Sequence, residues 1–324
     1  MDSSTSAAVR VGSLTLNAPV MTASGTAGHG VELAPYLDLG ELGAVVVKSL
    51  AAFEWQGNPG PRLHAAGAGM LNSVGLQGPG VEHWLAHDLP ALIDAGATVV
   101  ASIWGRSVDE YRRAAQLLAV APAQVVAVEV NLSCPNLHGQ EVFAHDPSLS
   151  AAVITAAAVC GRPCWAKLSP NTDKVIEVAS AVAAAGAEAV TLVNTLRGMV
   201  LDRHSGLPVP SAAGGGYSGQ PLHAVAVRTV FDVHAALPHL PIVGVGGVNN
   251  AWDAAELMLA GASAVQVGTA SFVNPRAAGD IQRSLLAWCA NRGLTVAELT
   301  GLAHRSGLPA GLPGDCRPGV DGGR

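Results

Sequence analysis

The chain has 324 residues, 49% of them hydrophobic, 13% charged and only 4% aromatic, with a formal net charge of -6. No Lys/Arg cluster and few rings exclude a nucleic-acid surface, which needs cations for phosphates and aromatic faces for bases. No stretch reaches the ~18–20 uninterrupted apolar residues of a membrane span, and MDSSTSAAVRVGS lacks the basic-then-apolar order of a secretion signal, so a cytoplasmic protein without a membrane partner is expected.

Eight short apolar runs follow in chain order: PVMTAS (19–24), AVVVKS (44–49), ATVVASIW (97–104), VVAVEVNLS (125–133), PCWAKLS (163–169), AVTLVNT (189–195), PIVGVGG (241–247) and AVQVGTA (264–270). They are nearly continuous in apolar residues rather than alternating, the pattern of parallel strands covered on both faces. Helix-length segments separate them. VDEYRRAAQLLAV (108–120) carries charges on one side. DPSLSAAVITAAAV (146–159) opens with a capping Asp146 and a first-turn Pro147. NTDKVIEVASAVAAAG (171–186) ends on Gly186, and NNAWDAAELMLAGA (249–262) opens on asparagine and closes by Gly261. Strand and helix alternating over this length predict a single-domain (β/α)8 TIM barrel with an N-terminal hairpin, in preference to an open doubly wound sheet.

Two connections, 50–80 and 196–219, are too long for plain turns, and both follow strand C-termini, where a barrel carries its site. They are read as insertions at that face. Residues 1–303 are assigned to the barrel, and the Pro- and Gly-rich 304–324 to a flexible tail. The odd count of five cysteines suggests reduced thiols rather than a disulfide framework. Cys160 and Cys164 stand as C-x3-C with no second pair nearby, so no metal site is expected. Cys160, Cys164 and Cys289 lie in apolar segments and read as small buried hydrophobes.

Polar residues cluster at the strand ends: Ser24, Lys48 with Ser49, Asn131 with Ser133 and Cys134, Lys167, Asn194 with Thr195, Gly246 with Gly247, and Gly268 with Thr269. Glycine after strands seven and eight lets backbone N–H groups approach a phosphate, and Gly219 could add a third donor. A lysine at an apolar strand end suits an anionic ligand or a reduced flavin; the alternative is a lysine snorkelling to solvent. Cys134, in a polar loop at a strand end, could serve as a general base.

These residues carry a resemblance. NLSCPN (131–136), LNSVGLQGPG (71–80), KLSPN (167–171), VNT (193–195), GVGGV (244–248) and VGTA (267–270), in this order over residues 9–292, resemble class 1 dihydroorotate dehydrogenases, and the NAD-linked 1B catalytic subunit in particular. The resemblance implies an FMN-dependent oxidation of (S)-dihydroorotate to orotate in pyrimidine (UMP) biosynthesis. By the same motif match, Cys134 would be the base at C5 and Lys167 would stabilise charge on the flavin. Lys48, Asn72, Ser73, Val74, Gly75, Leu76, Asn131, Asn136, Asn194 and Thr195 would hold substrate. Ser24, Lys48, Ser49, Asn131, Lys167, Val193, Gly219, Gly246, Gly247, Gly268 and Thr269 would hold FMN. It also implies a homodimer core and a partner subunit with FAD and an iron-sulfur cluster, for which this chain has no cysteine set of its own.

The chain departs from the pattern at Gly78, where asparagine is usual, and at Ser102 and Trp104, where the subgroup shows an ANVAG-like stretch. A lid is expected at 137–145. Two other readings are an FMN oxidoreductase for another dihydropyrimidine and a non-catalytic flavin-binding subunit.

Overall fold

In the computed structural model, described for residues 7–132, 143–210, 214–305 and 308, eight parallel strands form one sheet. They are β1 (Val20–Thr22), β2 (Val45–Val46), β3 (Val99–Ile103), β4 (Val125–Asn131), β5 (Cys164–Lys167), β6 (Ala189–Leu192), β7 (Ile242–Val245) and β8 (Ala264–Val267). Neighbours in sequence are neighbours in the sheet, and β8 pairs with β1. A parallel bridge from Met21 to Ala44, with Thr22 N donating to the Ala44 carbonyl at 3.2 Å, joins β1 to β2 and closes the ring. This is the predicted (β/α)8 barrel. The strands are shorter than the apolar runs because each run's polar end turns out of the ladder at the barrel mouth.

The helices form where the periodicity places them, with the expected caps. Asp146 Oδ1 accepts from Leu149 N at 2.7 Å ahead of Pro147–Ala157. Ser107 caps Val108–Leu118, and Asn250 with Asp253 makes a reciprocal capping box at Ala251–Leu259. The first crossover differs from the regular alternation. Between β1 and β2 the described helical element is the single 3-10 turn Leu39–Glu41. Pro35, Gly40 and Gly43 leave no room there for an α-helical run. An N-terminal hairpin, Val9–Val11 against Leu14–Leu16, turns at Gly12 with φ 61°. Among the described residues, no helix is long and apolar enough to cross a membrane.

The two long connections are built differently from plain loops. Leu63–Ala66, Gly69–Asn72, Gly215–Gly219 and Leu196–Gly198 form one four-stranded antiparallel sheet over the barrel mouth, pairing segments up to ~150 residues apart. Of the expected tail, His304, Arg305 and Leu308 are described. His304 is packed: its ring stacks on Phe231 at 3.9 Å, and Nε2 lies 2.9 Å from the Ala260 carbonyl.

Candidate active site

A cavity of about 910 Å³ opens between the C-terminal strand ends and the antiparallel sheet above them. That is the size range of small-molecule and cofactor sites. A chain of short polar side chains runs around its wall. Ser24 Oγ lies 3.2 Å from Ser49 Oγ, which lies 2.8 Å from Ser102 Oγ. Asn131 Nδ2 donates to Ser49 Oγ at 3.3 Å, and Asn194 Nδ2 donates to Asn131 Oδ1 at 3.2 Å. The Asn194 Oδ1 accepts from Thr195 N at 2.8 Å. Five strands thus contribute linked hydroxyls and amides, four of them on the wall and Ser102 buried behind Ser49. The backbone of Asn131 is held from outside the ring, where Tyr111 OH donates to its carbonyl at 2.6 Å.

Lys167, at the end of β5, is 5% exposed, and its Nζ lies 3.4 Å from Glu129 Oε1. On the opposite side the wall is bare backbone. Gly246 and Gly247 follow β7 with φ 140° and 67°. A Cβ on Gly246 would stand 2.7 Å from Ala226 Cβ, and one on Gly247 would stand 2.7 Å from His223 Cβ. Only glycine fits both the backbone conformation and the space. Gly219, Gly268 and Thr269 continue this face, where Thr269 Oγ1 donates to Ser218 Oγ at 2.9 Å.

The antiparallel sheet supplies the other wall. Asn72 Nδ2 donates to the Gly216 carbonyl at 3.2 Å, and Ser73, Val74, Gly75 and Leu76 follow along the cavity. Gly75 and Leu76 have φ 68° and 62°, two left-handed residues in succession. Such a conformation in a branched residue persists only when its surroundings hold it. Asn58 does so, with Nδ2 donating to the Ser73 carbonyl at 3.0 Å. Trp55 Nε1 does the same by donating to the Gly75 carbonyl at 2.9 Å.

Every residue that the motifs single out and that is described here lines this one cavity, Val193 included. Cys134 and Asn136, with Ser133, lie outside the described residues, as does 137–142 of the expected lid; its last residues form the turn Phe143–His145, and His145 lines the cavity. Several wall residues carry no mark in the motif reading: Asn58, Asn171, His145 and Arg197. Asn171 was within reach, as the last residue of KLSPN. It crosslinks three elements, donating to Ser169 Oγ at 3.0 Å and to the Thr195 carbonyl at 2.9 Å, while its Oδ1 accepts from Arg197 N at 2.9 Å.

The departures separate by position. Ser102 is fully buried behind Ser49 and off the cavity wall, whereas Trp104 lines it. Gly78 is also off the wall, in a backbone bridge with Trp55. A Cβ at position 78 would meet His29 Nε2 at 3.3 Å, so the missing side chain makes room for the histidine. Burial, and next the Lys48 charge, hold the His29 pKa below its usual 6.5.

Lys48, Lys167, Arg197 and His145 line the cavity, and no Asp or Glu does among the described residues. The wall therefore suits anionic groups, and its amides can read a ligand edge that both donates and accepts. FMN is a fair test of fit. Its phosphate matches the side-chain-free backbone at Gly246 and Gly247, and its ring's electron-rich end matches the buried ammonium of Lys167.

The fold and this wall define a (β/α)8 barrel with a pocket lined by cationic and amide side chains at its C-terminal face. A model of the family described as dihydroorotate dehydrogenase matches residues 6–288. The chain is 46% identical over 303 residues to the dihydroorotate dehydrogenase B (NAD(+)) catalytic subunit of Desulforudis audaxviator, covering 93% of this chain and 98% of that one. It is 43% identical to the protein of the same name from Trichlorobacter lovleyi, covering 91% and 96%. The chain belongs to the dihydroorotate dehydrogenase family.

Proposed function

We propose that this chain oxidises (S)-dihydroorotate to orotate in pyrimidine biosynthesis, with FMN bound in the barrel mouth. The observation that carries the reading is the single cavity wall that joins lysines and amides to a side-chain-free glycine face, with no carboxylate among its described residues. Dihydroorotate has a carboxylate and an imide edge, the two groups such a wall is built to receive. Bound FMN supplies a two-electron acceptor for the hydride from substrate C6.

The protein's own groups then divide the work. Gly246, Gly247, Gly219, Gly268 and Thr269 hold the phosphate end, and Ser24, Ser49 and Val193 hold the ring. Lys167 Nζ, buried and aimed by Glu129, presents fixed positive charge there. Asn72, Asn131, Asn194 and Thr195 orient the imide, and Ser73, Val74, Gly75 and Leu76 close the substrate's outer edge. Lys48 Nζ takes the carboxylate. Cys134 Sγ is the base that accepts the C5 proton, with Asn136 beside it in sequence; both are assigned from the NLSCPN match. The naming of both relatives as catalytic subunits supports an assembly in which a second subunit passes electrons onward from a homodimeric core.

The test is direct. Purified protein should be yellow and should bleach when dihydroorotate is added without oxygen. A flavin that stays oxidised refutes the substrate. Cys134→Ala should retain FMN and lose about 10²–10⁴ in the rate of bleaching, the usual worth of a positioned base; an unchanged rate assigns the proton to another group.

A further inference from the structure

Glu129 stands inside β4 as the one charged residue of VVAVEVN, and is 0% exposed. Barrel interiors are filled chiefly by branched aliphatic side chains. A carboxylate there is unfavourable unless its charge is paired and its oxygens are satisfied. Glu129 is satisfied from three other strands. Oε1 faces Lys167 Nζ of β5 at 3.4 Å. Oε2 accepts from Thr191 Oγ1 of β6 at 3.0 Å and from Gln266 Nε2 of β8 at 2.8 Å. Gln266 serves it at a loss, since the amide's own Oε1 is buried without a partner among the described residues. If the amide were reversed, that oxygen would have a donor's place but would face a carboxylate.

The four side chains therefore make a polar plug across the barrel, and its upper end is the lysine that lines the cavity. Apolar packing would stabilise the barrel without any of them. What the plug adds is a fixed direction and a partly neutralised charge for one ammonium. We propose that Glu129 is a positioning residue for Lys167. Through that ammonium it sets the reduction potential of the flavin in the cavity, holding it lower than an uncompensated lysine would. The physical basis is that the reduced cofactor carries more negative charge than the oxidised one, so positive charge beside the ring favours reduction. A counter-charge 3.4 Å from the ammonium offsets part of that field.

The inference rests on the FMN reading above, and the experiment keeps the two apart. Wild-type protein that holds no flavin defeats that reading; wild-type protein that holds flavin leaves the role of Glu129 to be decided by variants. The midpoint potential is measured by dye equilibration near neutral pH, alongside FMN affinity by titration of apoprotein and a thermal melt. Glu129→Gln keeps shape and hydrogen-bonding capacity but removes the charge. It should shift the oxidised–reduced equilibrium about tenfold toward reduced flavin, a rise of ~30 mV for a two-electron couple. FMN affinity should stay within about threefold of wild type. Glu129→Asp, which restores the charge, should return the potential most of the way. A Glu129→Gln potential that is unchanged or lower overturns the proposal, as does an equal rise in Glu129→Asp. If Glu129→Gln yields no folded holoprotein, Thr191→Val decides. Loss of one donor to Oε2 leaves more of the carboxylate's charge facing Lys167 and should lower the same equilibrium two- to threefold; an unchanged potential there is a refutation.

Discussion

The two ends of the barrel bury polar groups in opposite ways. At the N-terminal end, Arg162 spends its guanidinium on the chain itself. Nε donates to the Val125 carbonyl at 2.8 Å and Nη1 to that of Leu118 at 2.9 Å, while Nη2 donates to that of Ala121. Cys160 and Cys164, with sulfurs 3.8 Å apart, bond to each other and to the Arg162 carbonyl. At the C-terminal end, Ser24, Ser49, Asn131 and Asn194 bond to one another and still border a cavity. Polar groups consumed by backbone carbonyls close a structure, whereas polar groups that fix each other's direction remain available to a ligand. Stability is therefore expected from the floor and chemistry from the mouth.

Arg162→Ala is the strongest way to break that division. It strips several charge-assisted bonds at once and takes a donor from the carbonyls of Leu118, Ala121 and Val125. Hydrogen bonds to charged groups contribute ~1.5–3 kcal/mol each and do not add fully. A loss of about 3–4 kcal/mol in unfolding free energy is expected in denaturant titration, with KM for dihydroorotate unchanged. A raised KM at wild-type stability would mean that the floor and the mouth are coupled.

Gly75→Ala attacks the mouth alone and should do less to the fold. A left-handed alanine costs about 1–2 kcal/mol, and its Cβ would stand 2.6 Å from Asn58 Cγ, the side chain that holds Ser73. Either the segment from Ser73 to Leu76 or Asn58 must shift, and both line the cavity. KM for dihydroorotate should rise roughly tenfold while FMN affinity holds, since the cofactor's proposed glycine face belongs to other strands. A parallel loss of FMN would place the ring against this loop instead.

The same division explains what could be read in the sequence. Strands, helices and mouth residues were legible because each polar strand end interrupts an apolar run, and because caps such as Asp146 and Asn250 act locally. The antiparallel sheet was not, since Asn72 pairs with Gly216 and nothing within either segment names its partner. Arg197 is carried to the wall by that sheet, and Asn58 is held there by its bonds to Ser73 and Val74. Glu129 was legible in principle, as a lone carboxylate inside VVAVEV, but its meaning depends on Lys167, Thr191 and Gln266 converging from other strands. The roles assigned to Cys134 and Asn136 rest on sequence alone.

The smallest effect distinguishes the ends by protonation. His29 at the mouth and His234 at the floor both have pKa values held below 6.5. Burial leads in each case, followed by Lys48 for His29 and by His304 and Arg305 for His234. A depressed histidine stays neutral in the folded state while the unfolded chain takes up a proton near pH 6.5. Both groups therefore contribute stability above that pH, and the contribution is lost as pH falls through the folded values. A ligand should part them. Orotate placed with its carboxylate on Lys48 would offset the charge that disfavours His29 protonation, and would leave His234 untouched. In an NMR titration of the histidine rings, saturating orotate should move the His29 pKa upward and leave that of His234 where it was. If His29 stays put while orotate binds, the carboxylate lies on another cation of the wall, and Arg197 becomes the group to replace next.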